Sequence, residues 1–192
     1  MTPRTGHRRF FTTHELIVIA LFAALIAVSK AVINLPLHVP GHSGATWMAL
    51  LLVGRALVRK PGAGTALGFV SGILAVLIVG GKEGLLVWVK YLAPGMVMDL
   101  GALLSGERLD HPLAGLLVAA VANVAKLTSS LIVSLILGIP AGYLAVGLGV
   151  AATTHILFGA LGGWLGALVV RMLRRMRVPA IESLSPPAEH SS

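Results

Sequence analysis

Residues 15–35 read ELIVIALFAALIAVSKAVINL, an apolar run broken only by Glu15 at its start and by Lys30 and Asn34 towards its end. About 20 such residues are what a helix needs to cross a bilayer. Thr12 or Thr13 is placed to cap the run, and Pro36 and Pro40 close it. Working outward, five more apolar stretches follow. The second spans Ala45 to Val58 and is short, ending at Arg55, Arg59, Lys60 and the breaker pair Pro61-Gly62. The third spans Ala63 to Val79 and dissolves in Gly80-Gly81-Lys82-Glu83-Gly84. A fourth runs from Leu85 to Leu104 with Pro94-Gly95 inside it, which predicts a kink. The fifth covers Leu113 to Leu137, and after Gly138-Ile139-Pro140-Ala141-Gly142 the sixth covers Tyr143 to Val170.

Composition agrees with this pattern: 56% of the residues are hydrophobic and 11% charged, and the mean hydropathy is +0.91. A soluble domain does not look like this. The expected fold is therefore an all-α integral membrane protein of about six transmembrane helices, located in the cell (cytoplasmic) membrane. A basic arm, 1–14, precedes the membrane domain, 15–176, and a disordered cytoplasmic tail, 177–192, follows it. The formal charge of +8 would suggest nucleic acid in a soluble protein. Here the basic residues flank apolar runs, which reads as topology, and no nucleic-acid partner is expected. The absence of cysteine excludes disulfides, thiolate metal sites and cysteine nucleophiles.

Orientation follows from counting Lys and Arg on alternate sides of the six spans. Arg4, Arg8, Arg9, Arg55, Arg59, Lys60, Arg108, Arg171, Arg174, Arg175 and Arg177 fall on one side, and Lys82 and Lys90 on the other. Both termini are therefore expected in the cytoplasm. A cleaved signal peptide is the rival reading of the first span, because Ala27-Val28-Ser29 offers a small-residue site; cleavage would leave five spans and an external N-terminus.

Twenty-three glycines imply closely approaching helices. Gly159, Gly163 and Ala167, with Gly162 and Gly166 beside them, read as internal packing in the sixth span. In the first span Ala20 and Ala24 form one row and Ala23, Ala27 and Ala31 another, a smooth surface suited to an internal helix or to a partner protein.

With its six spans, basic glycine-rich composition and Ala20-Leu-Phe-Ala-Ala24 overlapping Ala23-Leu-Ile-Ala27, the chain resembles the S components of energy-coupling factor (ECF) vitamin and metal importers. Arg59-Lys60-Pro61-Gly62-Ala63 is also similar to the turn between the second and third helices of some thiamine-related members. The resemblance implies a substrate-binding subunit that works with a separate transmembrane coupling subunit and ATPase subunits. It also implies docking of the coupling subunit on Ala20, Ala23, Ala24 and Ala27. The Met-His N-terminus of the cobalt and nickel subfamily is absent, His7 and His14 coming too late.

Candidate solute-binding residues are polar groups that a bilayer penalises. Lys30 and Asn34 lie one turn apart in the first span, and His38 and His42 follow in the loop. Asp99 lies past the kink of the fourth span, Asn123 and Lys126 in the fifth, and His155 in the sixth. Trp88 and Tyr91, near the outer mouth, can stack on a flat ligand; Trp47 and Trp164 read as interface or packing aromatics. An Asp99–Lys126 ion pair is the structural alternative for those two residues. His38 and His42 also admit a metal-ligand reading, but Pro40-Gly41 breaks the helical spacing and no metal site is assigned. The positive balance favours an anionic or carboxylate-bearing solute. The loop from Leu35 to Gly44, stiffened by two prolines and freed by two glycines, can close over it. No G-x-x-x-x-G-K-[ST] occurs and no cofactor is expected, so any ATP dependence lies in other subunits.

Two other classes compete. A stand-alone secondary transporter would use Asp99 and His155, with a lysine, as a proton relay, although the two halves show no internal repeat. A rhomboid-like serine protease would use Gly41-His42-Ser43-Gly44 with His155 as base, but that motif precedes the second span, far from a mid-membrane base. Binding and translocation without covalent chemistry is the favoured reading, so the chain is not expected to be an enzyme. The charge asymmetry carries a direct test: a reporter active only in the cytoplasm should work when fused to either terminus, and activity at one terminus alone would refute an even number of spans.

Overall fold

The computed structural model describes residues 11–32, 43–79 and 86–176. Those residues form seven helices: α1 (Thr13–Val32), α2 (Gly44–Leu57), α3 (Ala63–Val79), α4 (Val87–Leu104), α5 (Pro112–Ile136), α6 (Ala141–Val146) and α7 (Leu148–Arg175). The first five match the expected spans. The sixth divides at Gly147 into the single-turn α6 and the long α7. α4 continues as one helix through Pro94.

Local chemistry explains the boundaries. Thr12 and Glu15 form a reciprocal capping box at the start of α1: the Thr12 N–H donates to Glu15 Oε2 at 2.6 Å, and the Glu15 N–H donates to Thr12 Oγ1 at 3.3 Å. Glu15 also pairs with Lys60 Nζ at 2.9 Å, tying the start of α1 to the α2–α3 turn. That turn relies on Gly62 in the left-handed region, at φ +88°. Pro112 occupies the first turn of α5, where its missing N–H costs nothing.

α2 is the hub of the bundle, packing against α1, α3, α4, α5 and α7. Trp47, Met48, Leu51, Leu52, Val53 and Arg55 are all buried along it. At 1.5 Å per residue its 14 residues span about 21 Å, short of a hydrocarbon core of about 30 Å. An inner helix wrapped by others has no need to reach both interfaces within one regular segment. Around it, α4, α5 and α7 are long and apolar enough to cross a membrane; α2 and α3 are apolar but shorter, and α1 is apolar over Thr13–Ser29. Large apolar side chains such as Leu77, Leu104, Leu113 and Val146 point outward. Such a surface is an aggregation hazard in water and is the expected surface in lipid.

Glycine rows bring the helices together. Gly64, Gly68 and Gly72 face α4, where any side chain would strike the Gly95 carbonyl, the Tyr91 carbonyl and the Trp88 backbone respectively. On α7, Gly159 and Gly163 meet α5, and Gly162 and Gly166 meet Ala45 and Ala49 of α2. The sixth-span row is thus internal packing, as expected. The row on α3 matters equally, although small-residue spacing singled out other helices.

One buried ionic cluster joins α2, α3 and α4. Arg55 is fully buried, at 0% exposure. Its Nε donates to Asp99 Oδ1 at 2.6 Å, while Nη1 and Nη2 fork onto the two oxygens of Glu107 at 3.0 and 2.7 Å. Asp99 accepts three further bonds, from the Gly64 N–H at 2.9 Å and from the Thr65 N–H and Oγ1 at 2.7 Å each. Two carboxylates against one guanidinium leave a negative charge beside the N-terminus of α3, where the helix dipole favours it. Glu107 reaches Arg55 from a left-handed backbone, φ 61°, in the turn after α4. Breaking a buried ion pair by removing one partner costs about 3–5 kcal/mol. Arg55→Met should therefore lower the melting temperature in detergent severely, and Asp99→Asn with Glu107→Gln in the same chain should recover part of the loss; full stability of Arg55→Met alone would refute a locking role.

Candidate functional site

Away from that cluster, four helices bring polar groups together. Trp47 on α2 is 4% exposed and meets Tyr91 of α4 edge to face, with centroids 5.2 Å apart and planes at 88°. Lys126 of α5 places Nζ 4.6 Å from the centroid of the Trp47 ring, a cation–π contact worth about 0.5–2 kcal/mol depending on its desolvation. One turn earlier, Asn123 is fully buried, walled by Gly44 of α2 and Gly159 of α7, each of which would clash with it if it carried a side chain. Asn123 Nδ2 donates to the His155 carbonyl oxygen at 2.7 Å. The His155 ring closes the group, its Nδ1 lying 2.8 Å from the Ala151 carbonyl oxygen. A carbonyl only accepts, so that contact assigns the proton to Nδ1 and, in neutral imidazole, leaves Nε2 as an acceptor.

Two buried polar atoms of this cluster have no hydrogen-bond partner among the described residues: the donor Trp47 Nε1 and the acceptor Asn123 Oδ1. Leaving such a group unpaired costs about 1–3 kcal/mol. A buried group of this kind is a point where a bound molecule or an ordered water can supply the missing hydrogen bond. An arrangement of one donor, one acceptor and a nearby ammonium suits a solute that carries an acceptor, a donor and negative charge.

Of the residues expected in the site, Tyr91, Asn123, Lys126 and His155 are thus gathered. Asp99 is not. It is committed to Arg55 and α3, and Trp47 and Arg55 are eight residues apart on α2, about 12 Å along its axis. The Asp99–Lys126 ion pair is therefore incorrect: Arg55, read from the sequence as a topological charge, takes the carboxylate, and Lys126 rests on Trp47. The same separation removes Asp99 from any relay with His155. Trp88 pairs with Phe69 of α3, centroids 5.9 Å apart, and not with the Trp47–Tyr91 pair. Asn34, His38, His42 and the side chain of Lys30 lie outside the described residues. So do Gly41 and His42 of the Gly-His-Ser-Gly segment; Ser43 precedes α2, and His155 engages the carbonyl of its own helix.

The alanine rows divide as well. Ala23 and Ala27 are fully buried in the chain's own core, so they face inward. Ala20 is exposed and Ala24 half-exposed, on the side of α1 that also presents Leu16, Ile17, Leu21 and Val28. Of the four alanines expected to dock a partner, Ala20 and Ala24 are thus accessible on the surface and Ala23 and Ala27 pack inside the chain.

Trp47 was missed as a site residue because a lone aromatic in an apolar helix looks like packing. Arg55 carried a clearer signal: it continues the buried face Met48, Leu51, Leu52 at helical spacing, so its charge had to be met inside the bundle.

Among solved structures, the chain is similar to the crystal structure of an S-component of an ECF transporter, with a TM-score of 0.64, 19% sequence identity and 88% of each chain covered. No protein-family model matches the chain, nor does any curated protein. The fold is thus that of a helical S-component bundle, and the outward apolar helices make it a multi-pass membrane protein.

The orphaned indole gives a stability test. Trp47→Phe keeps the ring edge against Tyr91 and the face under Lys126 while deleting a donor that no described residue accepts. It should leave the detergent melting temperature within a few degrees of wild type. A collapse would mean that Nε1 is bonded within the protein.

Proposed function

We propose that this chain is the substrate-binding subunit of an ECF-type importer, capturing a small anionic or carboxylate-bearing solute, such as a vitamin, a precursor or a related metabolite. The observation that carries this reading is the match to an S-component fold over 88% of both chains. The cluster of Trp47, Tyr91, Asn123, Lys126 and His155 supports it, because it sets an ammonium beside two buried polar atoms that have no hydrogen-bond partner among the described residues. Six spans with both termini in the cytoplasm would put this cluster towards the outer face and Arg55, Arg108 and Arg174 towards the inner one. The loop from Leu35 to Gly44, expected to close over the solute, lies outside the described residues as far as His42.

Energy would come from separate ATPase subunits, acting through a coupling subunit that docks on Ala20 and Ala24. Both alanines lie on a surface already accessible from outside. The protein would reside in the cell membrane and catalyse no covalent step.

Charge-assisted hydrogen bonds contribute about 1.5–3 kcal/mol each, so Lys126→Met should weaken solute binding roughly 10- to 150-fold while the protein still folds. Affinity purification of the wild-type chain from native membranes should co-isolate a membrane coupling protein and ATPases. Ala20→Leu with Ala24→Leu should lose them at an unchanged melting temperature and unchanged solute affinity. Wild-type transport by the purified chain alone, in vesicles without ATPases, would overturn the reading in favour of a self-sufficient carrier.

A further inference from the structure

At the end of the bundle that holds Arg55, a cavity of about 390 Å³ lies between the turn after α4, the start of α5 and the end of α7. Arg108, Asp110, His111, Pro112, Arg171 and Arg174 line it. Three guanidiniums face one carboxylate. Asp110 Oδ1 approaches Arg174 Nη1 to 2.6 Å as an ion pair, though it accepts no hydrogen bond from the described residues. Arg174 Nη2 is nonetheless buried with no hydrogen-bond partner among the described residues. Arg108 and Arg171 are exposed, and neither has an ion pair among the described residues. The first turn of α5 adds the positive end of a helix dipole beside His111.

We propose that this cavity binds the phosphodiester headgroup of an anionic phospholipid. A phosphate offers several acceptor oxygens, which suits the orphaned Nη2 of Arg174 and the planar forks of Arg108 and Arg171. The apolar surroundings fit a lipid better than a free anion. Leu113 and Met172, each next in sequence to a lining residue, are strongly exposed apolar side chains, so the cavity sits where a lipid-facing surface meets a basic turn. Basic pockets between membrane helices on the positively charged side are suited to anionic headgroups. The inference rests on the chain lying in a membrane and not on what it transports.

The test uses the full chain purified in a neutral detergent, with short-chain phosphatidylglycerol, short-chain phosphatidylcholine and inorganic phosphate as separate probes. Phosphatidylglycerol should raise the melting temperature saturably and phosphatidylcholine should not. Arg108→Gln with Arg171→Gln should weaken the apparent affinity for phosphatidylglycerol at least about tenfold. Neither arginine is buried or paired, so the variant should melt like wild type without lipid. If it does not, counting retained phosphatidylglycerol per chain by native mass spectrometry replaces the thermal readout. An equal phosphatidylglycerol response in the variant, or none in wild type, overturns the proposal. A full response to inorganic phosphate alone overturns the lipid assignment and leaves a free-anion site.

Discussion

Everything at one end of this bundle depends on burying the guanidinium of Arg55. An isolated charge in a low-dielectric interior is costly enough that it must be paired and hydrogen-bonded. Asp99 and Glu107 supply the charge, and Asp99 then needs donors of its own, which the first turn of α3 provides through Gly64 and Thr65. That demand explains several local features together. Gly64 lacks a side chain because Asp99 and the Gly95 carbonyl occupy the space. Glu107 forks onto Arg55 from a left-handed backbone that costs roughly 1–2 kcal/mol, which the charge-assisted pair offsets. α2, α3 and α4 are consequently held in one register by charge-assisted bonds that do not tolerate sliding.

The opposite end of the same helices is built on different physics. Trp47, Tyr91 and Lys126 meet through ring edges, a ring face and an ammonium, and Asn123 is let in by glycines on two neighbouring helices. Here one donor, Trp47 Nε1, and one acceptor, Asn123 Oδ1, have no hydrogen-bond partner among the described residues. The hydrogen-bonded Arg55 cluster fixes the helices at one end, while at the other the Trp47–Asn123 group holds polar atoms that a bound molecule could satisfy.

The membrane character of the chain, its helical class and most helix boundaries were legible in the sequence, because they follow from run length, from glycine and proline breaks and from charge asymmetry. Each is a property of a segment considered alone. Packing of the glycine row on α7 was legible too, since four-residue spacing needs no knowledge of the partner helix. Tyr91, Asn123, Lys126 and His155 could be named as polar or aromatic residues in apolar runs, which gave candidates without a geometry.

Only the tertiary structure decided which charge meets which. From sequence, Asp99 had Lys126 as its nearest intramembrane cation along the chain, yet Arg55, forty-four residues away, takes it across three helices. Trp47 gained its role only when α2 was placed against α4 and α5. The two alanine rows of α1 were equivalent as spacings, and the rotation of that helix about its axis buried Ala23 and Ala27 while leaving Ala20 outside. Sequence determines what each helix can bury, because periodicity and hydropathy are local. Pairing and rotation depend on the competition among all faces for the same interior, and that competition is resolved only when the helices pack.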